Sequence, residues 1–565
     1  MLLSNLNLLA TAPGGVARLR ELILTLAVQG KLVPQDPADE PASVLLRKIR
    51  AEKDLLIAEG KIKKDKSLPE IAEEEKPFEL PQGWGWTNLA TIAVINPRND
   101  ASDDTQASFV QMSSIPVEFS AAHISEPRLW KDIKSGFTQF AEGDVGVAKI
   151  TPCFENGKST VFQNLCNGIG AGTTELHIVR PLGDIERRYV LLFLKTPAFL
   201  KEGEAVMTGS SGQKRLPRSY FECKPFPLPP LAEQSRIVAR VEELMRLCDA
   251  LEAKGQLEAT QHAQLLSTLL GTLTASATPE ELADNWQRVA QHFDLLLDRP
   301  QAIDALEQTL LQLAVRGLLV PQDPDDEPAS VLLQKIRAEK DRLIAAGQIK
   351  KDKTLAAIAE EEKPFALPQG WEWVTLGEVG LVGSSSRVHQ SDWKSSGVPF
   401  YRAREIVKLS KDGHVQNDLF ISEELFVNLA RGGSVPEVDD IMITGVGTIG
   451  VPYVVRSGDR FYFKDASVLI FKNFGHLDSS YLSLFMQSPL WIDSIHQHSM
   501  GTTVDTLTIS RANITSLPLP PLAEQSRIVT RVTALRQLCA ELRQRLAERE
   551  AVQARLAEAL VQQVA

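Results

Sequence analysis

Aromatic residues make up only 6% of the 565, and the five cysteines form no CxxC pair and have no histidine at zinc-ligand spacing. That scarcity excludes a zinc finger and a disulfide framework. Cys153, Cys166 and Cys223 read as free thiols, while Cys248 and Cys539 hold matching apolar helix positions that packing explains. No apolar run approaches the roughly 20 residues needed to cross a bilayer. Residues 1–12 carry neither a basic leader nor a cleavage site, so no membrane contact and a cytoplasmic location are expected. Positive charge is also lacking: the net formal charge is −11, which excludes coating of nucleic acid by bulk charge.

Catalytic signatures are missing as well. Asn156-Gly157-Lys158-Ser159 ends like a phosphate-binding loop, but Pro152 stands where its first glycine belongs. There is no glycine fingerprint for a dinucleotide or a methyl donor, and no Asn/Asp-Pro-Pro-aromatic tetrapeptide of adenine methyltransferases. His496 and His498 lie two apart without a third ligand and read as a polar surface pair. The reading is a chain with no catalytic site, metal or cofactor of its own.

What the sequence does contain is a repeat. LAVQGKLVPQDPADEPASVLLRKIRAEKD from Leu26 recurs as LAVRGLLVPQDPDDEPASVLLQKIRAEKD from Leu313, and the match runs on to Trp86 and Trp373 with 49 identities in 61 positions. LPPLAEQSRIV at 228–238 recurs unchanged at 519–529. The stretches enclosed, about 85–225 and 372–516, are alike in length and unlike in sequence. A shared duplication would leave frame and inserts equally alike, so the inserts are read as answering to two ligands and the frame to one repeated partner. Five segments follow: a helical repeat (1–83), a first insert (84–226), a central helical region with the second repeat (227–370), a second insert (371–517) and a C-terminal helix (518–565).

Apolar spacing fills in the elements. After Pro230, residues Ile237, Val241, Leu244, Cys248 and Leu251 step by four and three, a coiled-coil seam that Ile528, Val532, Leu535, Cys539, Leu542 and Leu546 repeat. A helix runs to about Gly30, a turn follows at Pro34, Pro37 and Pro41, and a second helix spans 42–59. The lysines at 61–66, and their match from Lys350, read as a solvated helix end or a phosphate contact. In the inserts, 145–150, 175–180, 400–406, 441–444 and 466–471 predict strands, and 189–195 and 481–487 short helices before Pro197 and Pro489. The predicted class is α+β: two α/β inserts separated and flanked by long antiparallel coiled-coil helices, with a pseudo-two-fold internal repeat.

This doubled arrangement resembles the specificity subunit of Type I restriction-modification enzymes over essentially the whole chain. It is carried by the paired PLPPLAEQSRIV elements, the LAVQGKLVPQDP repeat and the LPQGWxW opening of each insert. The resemblance implies that each insert is a target-recognition domain reading half of a split, asymmetric site in double-stranded DNA. It further implies two methyltransferase subunits bound along the helices, together with restriction/translocase subunits. S-adenosylmethionine, ATP and Mg would sit on those partners, and the assembly would methylate adenine at N6, cleave DNA and defend against foreign DNA. In the first insert, 142–158, 167–181 and 207–221 resemble segments of such domains; in the second, 438–450 keeps only their outline.

Base edges are read by side chains with paired donors or acceptors. The candidates in the first insert are Lys149, Thr151, Asn156, Lys158, Thr173, Thr174, Gln213, Lys214 and Arg215. In the second they are Arg402, Arg404, Lys408, Thr444, Thr448, Thr502 and Thr503, with Arg402 and Arg404 facing one side of a predicted strand. For each one, solvated surface and DNA contact stand equally open. Leu228, Pro229, Pro230, Glu233 and Gln234, with Leu519, Pro520, Pro521, Glu524 and Gln525, are candidates for subunit binding or for structure. The rival reading is a protein scaffold whose inserts hold two partners without DNA, favoured by insert charges of 15 basic against 15 acidic and 12 against 16. A duplicated enzyme would need matched His, Asp, Glu or Cys sets, which the inserts lack.

Overall fold

The computed structural model describes residues 11–62, 70–210, 212–276, 278–349, 358–431, 435–497 and 505–564. The fold is α+β and divides into two compact units, 1–259 with 549–565, and 260–548. Each holds one helical repeat and one insert.

In the first unit, α1 (Gly15–Val28) turns Leu19, Leu22, Ile23 and Leu26 inward, an i, i+3, i+4, i+7 stripe. It runs to Gly30, whose φ of +69° favours glycine and where a Cβ would stand 2.4 Å from Pro81 Cγ. Helix α2 (Ala42–Ala58) buries Ala42, Leu45 and Ile49. The insert is enclosed by a two-stranded ribbon in which β1 (Gly85–Asn88) pairs antiparallel with β10 (Pro225–Leu228). Inside it, one antiparallel sheet has the order β2 (Ala93–Ile95), β9 (Leu176–Pro181), β6 (Val145–Ala148), β7 (Ser159–Val161). A second has the order β4 (Glu126–Leu129), β3 (Gln106–Val110), β8 (Ile169–Gly172), β5 (Thr138–Ala141), with β3 and β8 parallel. Helices α3 (Arg187–Leu194) and α4 (Pro197–Val206) follow β9, and α5 (Leu231–Ala275) begins directly after Pro229-Pro230. Ile237, Val241 and Cys248 of α5 are buried in one core with Leu19 and Ile23 of α1.

The second unit repeats this plan. Its helices α6 (Pro300–Val315) and α7 (Ala329–Ala345) precede a ribbon of β11 (Glu372–Thr375) and β19 (Ser516–Leu519). The enclosed antiparallel sheet runs β12 (Leu381–Ser384), β18 (Val468–Lys472), β15 (Ile441–Thr444), β16 (Pro452–Val454). Its companion is β14 (Phe420–Ile421), β13 (Val398–Tyr401), β17 (Tyr462–Phe463), with β13 and β17 parallel. Among the described residues these are the strand orders of the first insert without a counterpart of the β5 edge. Helix α8 (Ala403–Asp412) sits between β13 and β14, α9 (Ser479–Phe485) and α10 (Pro489–His496) follow β18, and α11 (Leu522–Val564) follows β19. Cys539 of α11 is buried with Leu306 and Leu310 of α6.

One predicted strand needs correction. Residues 400–406 do not continue as a strand past Tyr401, because the Glu405 carboxylate accepts from the Arg402 backbone N–H at 2.9 Å and starts α8 there. Arg402 is therefore a helix cap and Arg404 lies in the first turn. Among the described residues no helix is long and apolar enough to cross a membrane, and no group of three or more His, Cys, Asp or Glu could hold a metal ion.

Candidate nucleic-acid interface

The constant motifs form the stem of each insert. Glu233 is 0% exposed; its carboxylate accepts from Trp84 Nε1 at 2.9 Å and from Gln35 Nε2 at 3.2 Å. Gln234 donates to the Pro229 carbonyl and accepts from the Glu186 backbone N–H, both at 3.0 Å. Tyr189 Oη donates to the Pro227 carbonyl at 2.9 Å. The second unit repeats each bond: Trp371 and Gln322 onto Glu524 at 2.9 and 3.1 Å, Gln525 with Pro520 and Asp478 at 3.0 Å, and Tyr481 onto Pro518 at 2.7 Å. Burial raises the carboxyl pKa of Glu233 and Glu524, and the hydrogen bonds from the indole and amide oppose it. Leu228, Pro229, Pro230, Leu519, Pro520 and Pro521 are also buried. Of the two roles expected for these ten residues, the structural one describes the contacts of Glu233, Gln234, Glu524 and Gln525.

The candidates of the first insert come from three separated stretches, and the fold brings several of them together. At the ends of β6 and β9, the Lys149 N–H donates to the Glu175 carbonyl at 2.9 Å, and the Leu216 N–H donates to the Lys149 carbonyl at 2.7 Å. Thr151 N–H donates to the Lys214 carbonyl at 3.0 Å, and Thr208 and Arg215 exchange backbone bonds of 3.1 and 2.8 Å. Gln213 and Lys214 are exposed on the turn between those two residues. Arg215 Nε and Nη2 contact the Glu175 carboxylate at 3.0 and 2.9 Å, and this partner holds the Glu175 pKa below the usual range. Thr173 Oγ1 accepts from the Glu175 N–H at 3.2 Å, with Thr174 exposed beside it. Asn156 is exposed in the β6–β7 loop, but Lys158 Nζ is turned back onto the Met112 carbonyl at 2.8 Å.

The same corner exists in the second insert. Gly445 N–H donates to the Ser467 carbonyl at 2.8 Å, and Leu507 N–H donates to the Gly445 carbonyl at 2.9 Å. Register fixes the equivalence: Ala148 pairs with Leu176 where Thr444 pairs with Val468, so Lys149 corresponds to Gly445 and Glu175 to Ser467. Isolated bridges Ile150 to Arg215 and Val446 to Thr506 complete it. Thr448 is exposed in the β15–β16 loop, and Lys408 on α8.

Two expectations change here, for Thr444 and for the arginine pair. Thr444 is 0% exposed; its hydroxyl donates to the Thr448 carbonyl and accepts from the Val451 N–H at 2.9 Å, so it closes the hairpin instead of facing solvent. Arg402 and Arg404 are held by the buried Glu405 and by Asp418 in one ion network, not presented together from a strand. His496 Nδ1 pairs with Asp505 at 2.7 Å. Thr502, Thr503 and His498 lie outside the described residues. Glu175, Gly445, Ser467 and Thr506 were not among the candidates; aligning RLPRS at 215–219 with TLTIS at 506–510 would have pointed to the last of them.

Two bases of the first insert are buried. His177 stacks on Phe221 with centroids 4.9 Å apart and contacts the Leu216 carbonyl through Nε2 at 3.1 Å; burial lowers its pKa to about 4. Lys195 Nζ donates to the carbonyls of Val117 and Gly157 at 2.7 and 2.9 Å, and burial lowers its pKa to about 7.

Comparison with known proteins agrees with this plan. The family model described as Type I restriction modification DNA specificity domain matches residues 171–261 and 368–549. The chain is 47% identical over 555 residues to the Type I restriction enzyme EcoAI specificity subunit of Escherichia coli, covering 97% of this chain and 93% of that one. It is 43% identical over 559 residues to the EcoEI specificity subunit of the same organism, again covering 97% and 93%. A chain from a solved structure of a type I R-M system, described for its complex assembly and conformational transition, aligns with a TM-score of 0.51 at 19% identity. That alignment covers 86% of this chain and 99% of the other, and it shows a shared fold. The chain belongs to the specificity subunits of Type I restriction enzymes.

Proposed function

We propose that this specificity subunit reads a bipartite, asymmetric site in double-stranded DNA, one half through each insert. The observation that carries the reading is the recurrence of one backbone corner in both inserts with different side chains upon it: Lys149, Glu175 and Arg215 in one, Gly445, Ser467 and Thr506 in the other. A frame kept constant while its outward chemistry changes suits two readers of two sequences.

The subunit contributes no reacting group in this reading. Two methyltransferase subunits and the restriction/translocase subunits dock on the helical frame and bring S-adenosylmethionine, ATP and Mg, in the cytoplasm. With a net charge of −11, the chain leaves much of the phosphate attraction to them. Helices α5 and α11, of 45 and 43 residues, act as spacers; at 1.5 Å per residue each is roughly 65 Å long. The test is to exchange residues 85–225 for the target domain of another specificity subunit and map methylated adenines. One half of the motif should change; alteration of both halves would overturn the assignment.

A further inference from the structure

We infer that Arg215, oriented by Glu175, reads a guanine in the half-site of the first insert, and that Ser467 and Thr506 on the same frame deny the second insert that preference. This rests on the two-half-site reading and adds a residue and a base to it.

First, the two corners are superposable by their bonding. A strand-end N–H donates to the carbonyl at 175 or 467, the carbonyl of that same strand-end residue accepts from Leu216 or Leu507, and the next residue bridges to 215 or 506. The same backbone bonds close the corner in the second insert, with Arg511 Nη1 added on the Thr506 carbonyl, so the fold does not require an ion pair between positions 467 and 506.

Second, the pair in the first insert is exposed, with Arg215 at 46% and Glu175 at 21% side-chain exposure. Exposed pairs contribute little to stability. What the carboxylate does supply is direction: it engages Nε and Nη2 together, at 3.0 and 2.9 Å, and so holds the guanidinium plane. A guanidinium has five donors; Nη1 also donates to the Gln213 carbonyl at 3.4 Å, which leaves one hydrogen on each of Nη1 and Nη2 for a base. Guanine offers O6 and N7 in the major groove as a matched pair of acceptors.

Third, the charge differs. Lys149, Glu175 and Arg215 sum to one positive charge, whereas Gly445, Ser467 and Thr506 carry none. Hydroxyls at 467 and 506 can donate or accept and do not select guanine by a bidentate fork. Glu175 is thus a positioning residue, and Arg215 the one that touches the base.

The experiment is selection of bound duplexes from a randomised pool by the complex of this chain with its methyltransferase subunits. No motif from the wild-type complex would refute the DNA-reading function itself. Given a bipartite motif, R215Q should reduce preference for one guanine in the first half about ten- to a hundredfold and leave the second half unchanged. E175Q should weaken the same position, with the Arg215 side chain still present and the melting temperature unchanged. An R215Q complex with the wild-type motif, or with uniformly weaker binding to all sequences, overturns the proposal; the latter marks a phosphate contact. The graft S467E/T506R, which does not depend on R215Q folding, should move one position of the second half toward guanine. An unchanged second half in that graft also counts against it.

Discussion

The indole of Trp84 donates to the carboxylate of Glu233 at 2.9 Å across 149 positions of chain, and so ties the opening of the first insert to the helix that leaves it. Replacing Glu233 with Ala leaves the partly buried Trp84 indole without its acceptor, while Gln35 keeps the Gly30 carbonyl, at about 1 to 3 kcal/mol. The β1–β10 ribbon should then exchange its amide hydrogens faster while β11–β19 stays protected. Glu524→Ala should reverse the pattern, and hydrogen exchange by mass spectrometry reads both.

Acid should loosen the first insert before the second. His177 is neutral in the fold down to about pH 4 and in the unfolded chain only to about 6.5. Between those values the unfolded state binds more protons, so the His177 contribution is level above pH 6.5 and stability falls as pH drops toward 4, by up to about 3 kcal/mol. His177→Leu, the residue at the equivalent position 469, should flatten that slope in urea titrations at a series of pH values.

Arg402 should matter for folding more than for recognition. Burial would raise the Glu405 carboxyl, but hydrogen bonds from Arg402 and Arg404 outweigh it and hold the pKa low. The resulting stability is present above about pH 4.5 and is lost as pH falls through the depressed folded value. Arg402→Ala should destabilise the second insert by about 1 to 3 kcal/mol at neutral pH and shrink that acid-dependent limb. The salt dependence of DNA binding by the folded complex should not change.

Thr444 and Thr448 should separate cleanly. Thr444→Val removes a buried hydroxyl bonded on both sides and should cost about 1 to 3 kcal/mol in denaturant unfolding, with the selected motif intact. Thr448→Ala, at an exposed loop position, should leave stability unchanged, so any altered selectivity there reports on DNA.

By itself the sequence determined the mixed helix-and-strand class and the two repeated motifs. The 61-residue repeat and the twice-used LPPLAEQSRIV are local patterns, and equal sequence gives equal helices, turns and caps wherever it stands. It also placed Lys149, Thr151 and Arg215 among the candidates, because flexible polar loops suit base reading. Only the tertiary structure decided which groups face outward and which are spent inside. Glu233 and Glu524 are charges in an amphipathic helix, and nothing local says that an indole some 150 residues away buries them. Thr444 ends a strand with all four residues buried, so alternation could not assign its direction. Arg402 and Arg404 had the spacing of a strand face, but Glu405 begins a helix there by capping it. Glu175 meets Arg215 across 40 positions, and Ser467 and Thr506 hold the matching places on a frame marked out by the same backbone hydrogen bonds. Such bonds carry no side-chain signature, which is why the two inserts look unrelated in sequence and alike in fold.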